Sequence, residues 1–373
     1  MKKIVVNLEN RSYPIIIGFD ILKDIPDYIK ELGDSAFIIS QPKIFSLCGN
    51  KLKDIFLKSG ISCKEFLIDE GEENKSIDSW ISTTKALIDF DEPVKRRTFV
   101  VAFGGGVVGD LGGFISAVYR RGINYIQIPT TLLASVDSSV GGKTGINFSG
   151  IKNIIGAFHQ PSLVFSDLSL LKTLPKEEII SAMAEVVKYG VICDYEFFIF
   201  LEKNYEKIIS LEPNSLFYTV EKSFTIKKTI VEEDEFEKKG IRTILNFGHT
   251  IGHSLEGLGV FKRHGEAISA GMVAEAYLGV LLGILKKEEK RRIENLLFNI
   301  GLPIKIPTCN LDNIMKVLIH DKKFIHGKTR FVIPKTIGRV EVIEGIKEDL
   351  VKESINPTCT ARNREMSLNI NEL

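Results

Sequence analysis

The sequence predicts two domains, an α/β domain built on a mostly parallel sheet and, after it, a mainly α-helical domain. In the first half of the chain, short β-branched runs alternate with amphipathic helical segments. Beyond the Leu-Pro pair at residues 174–175, the pattern is helical instead. Strands separated by helices pair in parallel, and such sheets bind ligands at the carboxyl ends of their strands. We therefore assign residues 1–175 to the α/β domain and residues 176–373 to the mainly α-helical domain.

The individual elements follow from the same patterns. The predicted strands span residues 4–8, 13–17, 36–40, 63–68, 98–103 and 124–128, and a helix is predicted at 78–89. In the second domain the predicted helices span residues 177–191, 195–211, 215–231, 243–258, 267–285 and 286–300. Residues 330–334 and 339–344 are typical of a hairpin. Residues 359–373 have no periodic pattern, so we expect a poorly ordered tail.

The composition excludes several classes of protein. The 49 Lys and Arg residues nearly balance the 48 Asp and Glu residues, so a net charge of +1 gives no overall attraction to nucleic acid or to an anionic membrane. The most apolar stretch, residues 270–285, contains Glu275 and is too short to span a membrane. The apolar run at the N-terminus is too short for a secretory signal, so we expect a cytoplasmic protein.

The cysteines are scattered along the chain, and none forms a Cys-x-x-Cys pair. An odd and scattered set is typical of reduced thiols in a cytosolic enzyme. We therefore expect free thiols, and no cysteine metal cluster, at Cys48, Cys63, Cys193, Cys309 and Cys359.

A glycine-rich loop follows the strand predicted at 98–103. Gly104, Gly106 and Gly109 match the G-x-G-x-x-G spacing in a strand, turn and helix context. Glycines let the backbone approach a pyrophosphate, and the N-terminus of the following helix offers free N–H groups to the phosphates. The loop alone leaves open a tight turn with close helix packing. No acidic residue follows about 20 positions later, as it does in the usual dinucleotide fingerprint.

Two further polar stretches are candidates for ligand binding. Residues 70–75 (EGEENK) come just after a predicted strand and could hold a ribose, although a solvated capping turn is the alternative. Residues 129–145 are rich in Thr, Ser and Gly, contain Lys143, and are followed by Lys152 and Asn153. Hydroxyls, glycine amides and lysines suit phosphate or polyol binding, whereas the alternative is a long surface loop.

A polar stripe is predicted in the helical domain. Arg242, Asn246, His249 and His253 recur at i, i+4, i+7 and i+11, so they share one face if residues 242–256 form a single helix. Such a stripe has no core-packing rationale. Two imidazoles one turn apart can both bind a metal, or one can bind while the other transfers protons.

A carboxylate for the same site is predicted on another helix. Glu185 lies in the apolar segment AMAEVVKYG, with Lys188 one turn later. An ordinary i, i+3 ion pair is the alternative for exposed helices, but this segment is too apolar to be exposed. With His264 and the stripe histidines, Glu185 predicts a catalytic divalent-metal site that leaves one coordination position open for a substrate oxygen.

Five motifs in this order and spacing resemble the 3-dehydroquinate synthase family, within the wider class of sugar phosphate cyclases. They are GGGVVGD, PTTLLASVDSSVGGKTGIN, AEVVKYG, NFGHTIGH and RHGEA, and the match runs from about residue 69 to 334. The resemblance implies an NAD-binding α/β domain, a metal- and substrate-binding α domain, an active site in the cleft between them, and a cytoplasmic homodimer. It also implies the conversion of 3-deoxy-D-arabino-heptulosonate 7-phosphate to 3-dehydroquinate and phosphate, with NAD and one Zn²⁺ or Co²⁺ ion.

The resemblance also implies roles for individual residues. The metal ligands would be Glu185, His249 and His264, and His253 would transfer protons. Substrate contacts would come from one of Lys322 and Lys323 and from Arg121, Lys143, Asn153, Lys188, Lys227, Arg242 and Asn246. Asp137 would lie beside the nicotinamide. NAD would contact Glu70, Gly71, Glu72, Glu73, Asn74, Lys75, Gly105, Gly106, Val107, Val108, Gly109, Asp110, Thr130, Thr131, Lys143, Lys152, Leu170, Leu171, Lys172 and Thr173.

The chain departs from the family pattern in three places. Ser40-Gln41 stands where family members often have Asp or Thr followed by Asn near the adenosine, Ile151 replaces a usual glycine, and the tail after about residue 356 is unmatched. Two other readings remain: a sister cyclase of the 2-deoxy-scyllo-inosose synthase type, and a metal-dependent alcohol dehydrogenase. The carboxylate-binding set and the many lysines favour the 3-dehydroquinate synthase reading over both.

Overall fold

The structure is a computed structural model that describes residues 1–92, 97–307, 311–320 and 329–359. The chain divides into two compact units. The first unit comprises Met1–Ile179 and Ser210–Lys239, and the second comprises Ile180–Ile209 and the described residues of Gly240–Leu373. A single boundary at residue 175 therefore differs from the observed division, because a later segment returns to the first unit.

The strands of the first unit form a sheet and a separate ribbon. In chain order they are β1 (Lys2–Val6), β2 (Tyr13–Gly18), β3 (Ser35–Ser40), β4 (Ser62–Leu67), β5 (Thr98–Gly104), β6 (Tyr125–Pro129), β7 (Lys143–Phe148), β8 (Ile151–Phe158) and β9 (Leu163–Asp167). Among the described residues, the sheet has seven strands in the order β1-β2-β9-β6-β5-β3-β4. Only the β1–β2 pair of this sheet is antiparallel. The predicted, mostly parallel sheet is confirmed.

Most of the predicted helices are present, together with helices that were not predicted. In chain order they are α1 (Asn50–Lys58), α2 (Ile77–Asp91), α3 (Gly106–Val118), α4 (Lys176–Cys193), α5 (Tyr195–Ile209), α6 (Pro213–Glu233), α7 (His249–Gly257), α8 (His264–Leu281), α9 (Lys287–Ile300), α10 (Leu311–His320) and α11 (Glu348–Ile355). Shorter helical turns lie at Pro26–Ile29 and Pro42–Ile44. No described helix is long and apolar enough to cross a membrane.

Both faces of the first unit's sheet are buried. Along β5, Val101 and Phe103 belong to one apolar cluster, whereas Val100 and Ala102 belong to the other. Alternate side chains of a strand point to opposite faces, so a strand covered on both faces is apolar throughout. This explains why the parallel strands appear in the sequence as continuous apolar runs and directs ligands to the strand ends, where β5 leads into the glycine loop.

Two of the features that were not predicted in the first unit depend on tertiary contacts. β9 lies between β2 and β6 with all five residues buried, but its sequence LVFSD ends in polar residues. Asp167 at its end is buried because it accepts the N–H groups of Asp20 and Leu22, each at 2.9 Å. The second feature is α6, which packs against β1 and β2, and this packing places residues 210–239 in the first unit.

The polar stretch at residues 129–145 contains a helical turn at Ala134–Ser138 and leads into the β7–β8 ribbon at Lys143. The two strands of the ribbon are antiparallel and joined by Ser149 and Gly150, with φ of 50° and 77°. Positive φ at both central residues is the geometry of the tight hairpin turn that matches strand twist. The pairing is interrupted by a β-bulge between Ile146 and Phe148.

In the second unit, α7 and α8 pack backbone to backbone. A Cβ atom built on Gly271 of α8 would lie 2.0 Å from the carbonyl oxygen of Gly248, and one on Gly252 would lie 3.1 Å from the carbonyl oxygen of Ala267. Only glycine permits this approach. The apolar cluster around the helix pair includes residues of α10 and α11 and of the hairpin β10 (Arg330–Thr336) and β11 (Arg339–Glu344), and the predicted hairpin is confirmed.

The predicted helix over residues 243–258 is wrong in its first half. Residues Ile241–Asn246 form a 3₁₀ turn, and α7 begins only at His249. Gly248 between them has φ 79°, a left-handed conformation that ends the turn and redirects the chain. Arg242 and Asn246 therefore do not continue the helical face that carries His249 and His253.

The prediction for the cysteines is partly corrected. Cys48, Cys63 and Cys193 are free thiols, as expected. Cys359, however, is disulfide-bonded, so the expectation of reduced thiols is wrong for it. The chain folds back beside an earlier segment here, with the Ile306 N–H donating to Thr358 O at 2.7 Å, and sequence spacing does not reveal such a return. Most of the predicted tail, residues 360–373, lies outside the described residues.

The α7–α8 contact gives a stability prediction. Gly271→Ala should lower the free energy of unfolding by about 2 kcal/mol or more, the scale of overpacking, because its Cβ would collide with a carbonyl. Gly257→Ala is the matched control, since its Cβ would lie 3.7 Å from Val317 and alanine favours a helix by up to about 1 kcal/mol. Thermal unfolding of both variants measures the change in stability. Equal shifts of the melting temperature in the two variants would contradict the close contact.

Candidate active site

Three helices of the second unit bring one carboxylate and two imidazoles together. Glu185 lies in α4, His249 is the first residue of α7, and His264 is the first residue of α8. The Glu185 Oε1 atom is 3.3 Å from His249 Nε2 and 3.4 Å from His264 Nε2. The three ligand atoms all lie within 4.8 Å of one another. A carboxylate with two imidazoles is a donor set of catalytic zinc sites, so these residues fit a divalent metal ion.

Hydrogen bonds orient both imidazoles toward Glu185. The His249 Nδ1 atom is 3.1 Å from the Phe247 carbonyl oxygen, and the His264 Nδ1 atom is 3.1 Å from Glu256 Oε1. A carbonyl or carboxylate oxygen can only accept, so each Nδ1 carries a hydrogen and each Nε2 faces the carboxylate. Metal-binding histidines are fixed in this way in known sites.

The charges of the group also suit a cation. Burial favours the neutral acid at Glu185, but Lys188 and the two imidazoles outweigh it and hold the pKa of Glu185 well below its usual range. Burial lowers the pKa of His249 to about 3 in spite of the Glu185 carboxylate. Burial also opposes protonation of His264, but hydrogen bonds to Glu185 and Glu256 raise its pKa to about 9. Glu185 is therefore anionic and His249 neutral at pH 7, which are their metal-binding forms, whereas His264 is protonated and must release a proton when a metal binds.

His253 and Lys188 border the three predicted ligands. The His253 ring is 5.1 Å from the His249 ring, one turn along α7. Its side chain is 36% exposed, against 11% for His249. Lys188 is 2% exposed and forms an ion pair with Glu185. His253 is the most exposed of the three imidazoles, with His264 at 31%, and this is consistent with the predicted proton-transfer role, because a proton must be able to leave.

A second group of three also has metal-binding spacing. His253, Glu256 and His264 offer ligand atoms within 4.8 Å of one another. Glu256, however, already accepts a hydrogen bond from His264 Nδ1. We therefore take Glu185, His249 and His264 as the metal candidate.

The predicted NAD segments of the first unit are partly brought together. β5 ends at Gly104 and α3 begins at Gly106, with Gly105 as its N-cap, so the predicted strand, turn and helix are present. The Thr130 N–H donates to Gly104 O at 3.0 Å and places residues 130–131 beside this loop. Val107, Val108 and Gly109 form the first turns of α3. A helix N-terminus built this way offers N–H groups to phosphates.

The stretch at residues 70–75 is tied to the same helix. Lys75 Nζ lies 2.9 Å from Asp110 Oδ2 and 3.2 Å from Glu72 Oε1. Lys75 is 5% exposed, and burial opposes its charge, but the two carboxylates outweigh burial and raise its pKa. Asn74 Nδ2 donates to Glu70 O at 2.8 Å. These bonds make the stretch an ordered loop beside the glycine turn, although Glu70 and Glu73 remain exposed to solvent.

Other predicted residues of the first unit lie in pairs with carboxylates. Lys227 on α6 donates to the Asp137 carbonyl at 2.6 Å and to Asp137 Oδ1 at 2.8 Å. Lys143, the first residue of β7, forms an ion pair with Glu237. Such pairs hold a lysine in place while its charge is not engaged by a ligand.

Further predicted residues of the first unit lie in other elements. Arg121 ends a 3₁₀ turn and has φ 65°. Lys152 is exposed on β8, and residues 170–173 belong to the 3₁₀ helix Leu168–Thr173 after β9. Ser40 Oγ donates to the Phe103 carbonyl at 2.8 Å inside the sheet. Lys322 and Lys323 lie outside the described residues.

Two functional carboxylates were missed in the sequence. Glu256 orients His264, and Glu275 of α8 accepts the N–H of Gly248 at 2.7 Å and that of Ile251 at 3.3 Å. Glu275 is fully buried and caps the start of α7, where N–H groups have no helical partner. The signal for Glu275 in the sequence is a charged residue within the apolar stretch 270–285.

Solved structures define the class of protein to which this fold and site correspond. The 2-epi-5-epi-valiolone synthase of Streptomyces hygroscopicus, solved with NAD⁺ and Zn²⁺ bound, has a TM-score of 0.86 and 25% identity, covering 94% of this chain and 98% of that one. A 2-deoxy-scyllo-inosose synthase, complexed with carbaglucose-6-phosphate, NAD⁺ and Co²⁺, has a TM-score of 0.85 and 25% identity, covering 96% and 100%. These are sugar phosphate cyclases. A glycerol dehydrogenase of Schizosaccharomyces pombe, at 15% identity, shares the fold alone, with a TM-score of 0.65 and coverage of 92% and 88%.

Sequence comparison narrows the class to one family. The family models for the 3-dehydroquinate synthase N-terminal and C-terminal regions match residues 65–181 and 182–324. The 3-dehydroquinate synthase of Pelotomaculum thermopropionicum is 44% identical over 363 residues, covering 95% of this chain and 96% of that protein. That of Dictyoglomus turgidum is 44% identical over 361 residues, covering 94% and 97%. The chain belongs to the 3-dehydroquinate synthase family.

Glu256 gives a prediction for the metal group. Glu256→Gln should weaken Zn²⁺ binding by about 10- to 100-fold, the usual effect of losing a carboxylate that orients a ligating histidine. Glu294→Gln is the control, because Glu294 pairs with Lys290 on α9 and contacts none of the three predicted ligands. Competition with a chromogenic chelator measures the affinities. Equal affinities in the two variants would mean that Glu256 does not orient His264.

Proposed function

We propose that this chain catalyses the 3-dehydroquinate synthase reaction of aromatic biosynthesis, converting 3-deoxy-D-arabino-heptulosonate 7-phosphate to 3-dehydroquinate and phosphate. The observation that carries the proposal is the group of Glu185, His249 and His264, with the carboxylate buried and both Nε2 atoms turned to it. Identity of 44% to curated relatives over nearly the whole chain supports it. The overall change is elimination of phosphate with ring closure, so the enzyme is a carbon–oxygen lyase.

NAD and one divalent metal ion, Zn²⁺ or Co²⁺, are the proposed cofactors. NAD would bind the first unit at residues 70–75, 105–110 and 130–131, with Lys143, Lys152 and residues 170–173, and the metal would bind the second unit. Bound NAD would accept a hydride from C5 of the substrate and return it, which transiently acidifies the neighbouring C–H bond, while the metal would polarise the substrate's oxygens. Related cyclases hold NAD⁺ with Zn²⁺ or Co²⁺ in their structures.

The chain's own residues would supply anion binding and proton transfer. The substrate carries a phosphate and a carboxylate, and with a net charge of +1 the chain must concentrate cations locally to bind it. Arg121, Lys143, Asn153 and Lys227 of the first unit, and Lys188, Arg242 and Asn246 of the second, are the proposed contacts. Asp137, paired with Lys227, would lie beside the nicotinamide. His253, 36% exposed, would move protons between substrate and solvent.

The alternatives fit less well. A sister cyclase of the 2-deoxy-scyllo-inosose synthase type has 25% identity to this chain, well below the 44% of the 3-dehydroquinate synthases. An alcohol dehydrogenase would not need a carboxylate- and phosphate-binding set of lysines and arginines.

A cytoplasmic homodimer is part of the proposal. The β7–β8 ribbon exposes Phe148, Ile151, Ile154 and Phe158, each more than 40% accessible. Exposed apolar clusters of this kind mark interaction surfaces, and a second copy of the chain would cover them. Sedimentation of the purified protein tests the oligomeric state.

Release of inorganic phosphate from the heptulosonate phosphate by purified protein tests the main proposal. Activity should need added NAD and metal, and should disappear with a chelator and return with Zn²⁺ or Co²⁺. Absence of phosphate release under these conditions would overturn the proposal.

NAD should act catalytically. Because the hydride taken from C5 returns within the same turnover, absorbance at the NADH band should not rise in proportion to product. Phosphate release and NADH absorbance are followed in one cuvette. Stoichiometric NADH would favour an alcohol dehydrogenase instead.

Replacing each of the two histidines of α7 should impair a different property of the enzyme, metal binding in one case and turnover in the other. His249→Ala should lose most of its metal affinity, because only two of three protein ligands remain. His253→Ala should keep metal and NAD but lose turnover by roughly 10²- to 10⁴-fold, the usual contribution of a positioned acid or base. Metal content and kcat of both purified variants decide the roles; equal metal loss would make both imidazoles ligands.

A further inference from the structure

Asn147 lies on β7 opposite an interruption in the ribbon. Ile146 pairs with Ile155 and Phe148 pairs with Ile151, so Asn147 alone faces three residues of β8. The Asn153 N–H donates to Asn147 Oδ1 at 2.9 Å, and Asn153 has φ 54°. The Asn147 side chain thus replaces the missing backbone partner across the bulge. Bulges next to active sites re-aim side chains, and this one presents Lys152 and Asn153.

The other end of the same side chain binds the loop at residues 70–75. Asn147 Nδ2 donates to Glu72 Oε1 at 3.0 Å and to Glu72 O at 3.2 Å. The Asn147 backbone N–H donates to Lys75 O at 2.7 Å. Glu72 forms an ion pair with Lys75, and Lys75 forms a second ion pair with Asp110 at the start of α3. One chain of polar contacts therefore runs from the glycine-loop helix to Asn153.

The amide of Asn147 has only one orientation that satisfies these partners. A backbone N–H of Asn153 requires an acceptor, and the carbonyl and carboxylate of Glu72 require a donor. An aspartate at this position could keep the first bond but not the second, and an alanine could keep neither. The two functions of the side chain can therefore be separated by substitution.

We propose that Asn147 is a positioning residue that couples NAD binding at residues 70–75 to substrate binding at Asn153, by linking the ordered loop to the bulge. This inference rests on the proposed function, since it takes the ligands of both segments from it. Ordering one segment orders the other, so NAD and the phosphate-bearing ligand each raise the affinity for the other. Such coupling is reciprocal by thermodynamic necessity.

The test measures NAD affinity by titration calorimetry, with and without saturating inorganic phosphate, and the KM for the heptulosonate phosphate at saturating NAD. In the unmodified protein, phosphate should tighten NAD binding by about fivefold or more, the lower end of usual coupling. Asn147→Ala should weaken NAD binding by about 10-fold, the scale of one to two net hydrogen bonds. The same substitution should raise the substrate KM. It should also reduce the coupling factor, which is the ratio of NAD affinities with and without phosphate, to about one.

Asn147→Asp separates the two links. It keeps the acceptor for Asn153 but loses the donor to Glu72, so NAD affinity and coupling should fall as in the alanine variant. The substrate KM at saturating NAD should stay within about twofold of the unmodified value, since the bulge remains closed. If Asn147 had a merely structural role, its replacement by Asp would not weaken NAD binding while leaving the substrate KM unchanged.

Asn124→Ala is the matched control, because Asn124 also binds two segments of the first unit, through Leu32 O and Ser162, and takes no part in the site. It should leave both constants and the coupling unchanged. A coupling factor in Asn147→Ala equal to that of the unmodified protein would overturn this inference alone. Lack of NAD binding or turnover in the unmodified protein would overturn the proposed function as well, so the two failures are distinguishable.

Discussion

The contact between α7 and α8 is made backbone to backbone, and the candidate metal group depends on it. Gly271 lies against the carbonyl of Gly248, so the start of α7 rests directly on α8. His249 and His264 are the first residues of these two helices, and the contact therefore fixes two imidazoles relative to one another. Rigid helices hold ligands more accurately than loops do, which suits a site that must bind one ion in one geometry.

Much of the first unit could be predicted because its strands and helices leave patterns in short stretches of sequence. A strand buried on both faces is a short apolar run, and a helix between two strands leaves a periodic pattern. β9 was not predicted because its apolar run is short and ends in Ser166-Asp167. The Asp167 carboxylate can be buried only because it accepts N–H groups that are far away in the sequence. The return of α6 to the first unit also depends on tertiary packing, which helical periodicity does not encode.

The site was predictable in its residue types and less so in its geometry. Glu185 is conspicuous as a charge in an apolar helix, and the histidine spacing indicated a shared site. The single stripe from Arg242 to His253 was wrong because Gly248 adopts a left-handed conformation, and glycine in a sequence is compatible with either a helix or a break. Glu256, eight residues from His264 in sequence, acts through a contact that no local period reveals.

The way α7 begins also limits which insertions and deletions the chain can accept. Glu275 accepts the N–H groups of Gly248 and Ile251, so one added or lost residue at this point would rotate the helix by about 100° and replace His249 by a neighbour. The exposed connection at residues 257–259 carries no such restriction. Length variation among functional relatives should therefore gather after α7 and be absent at its start.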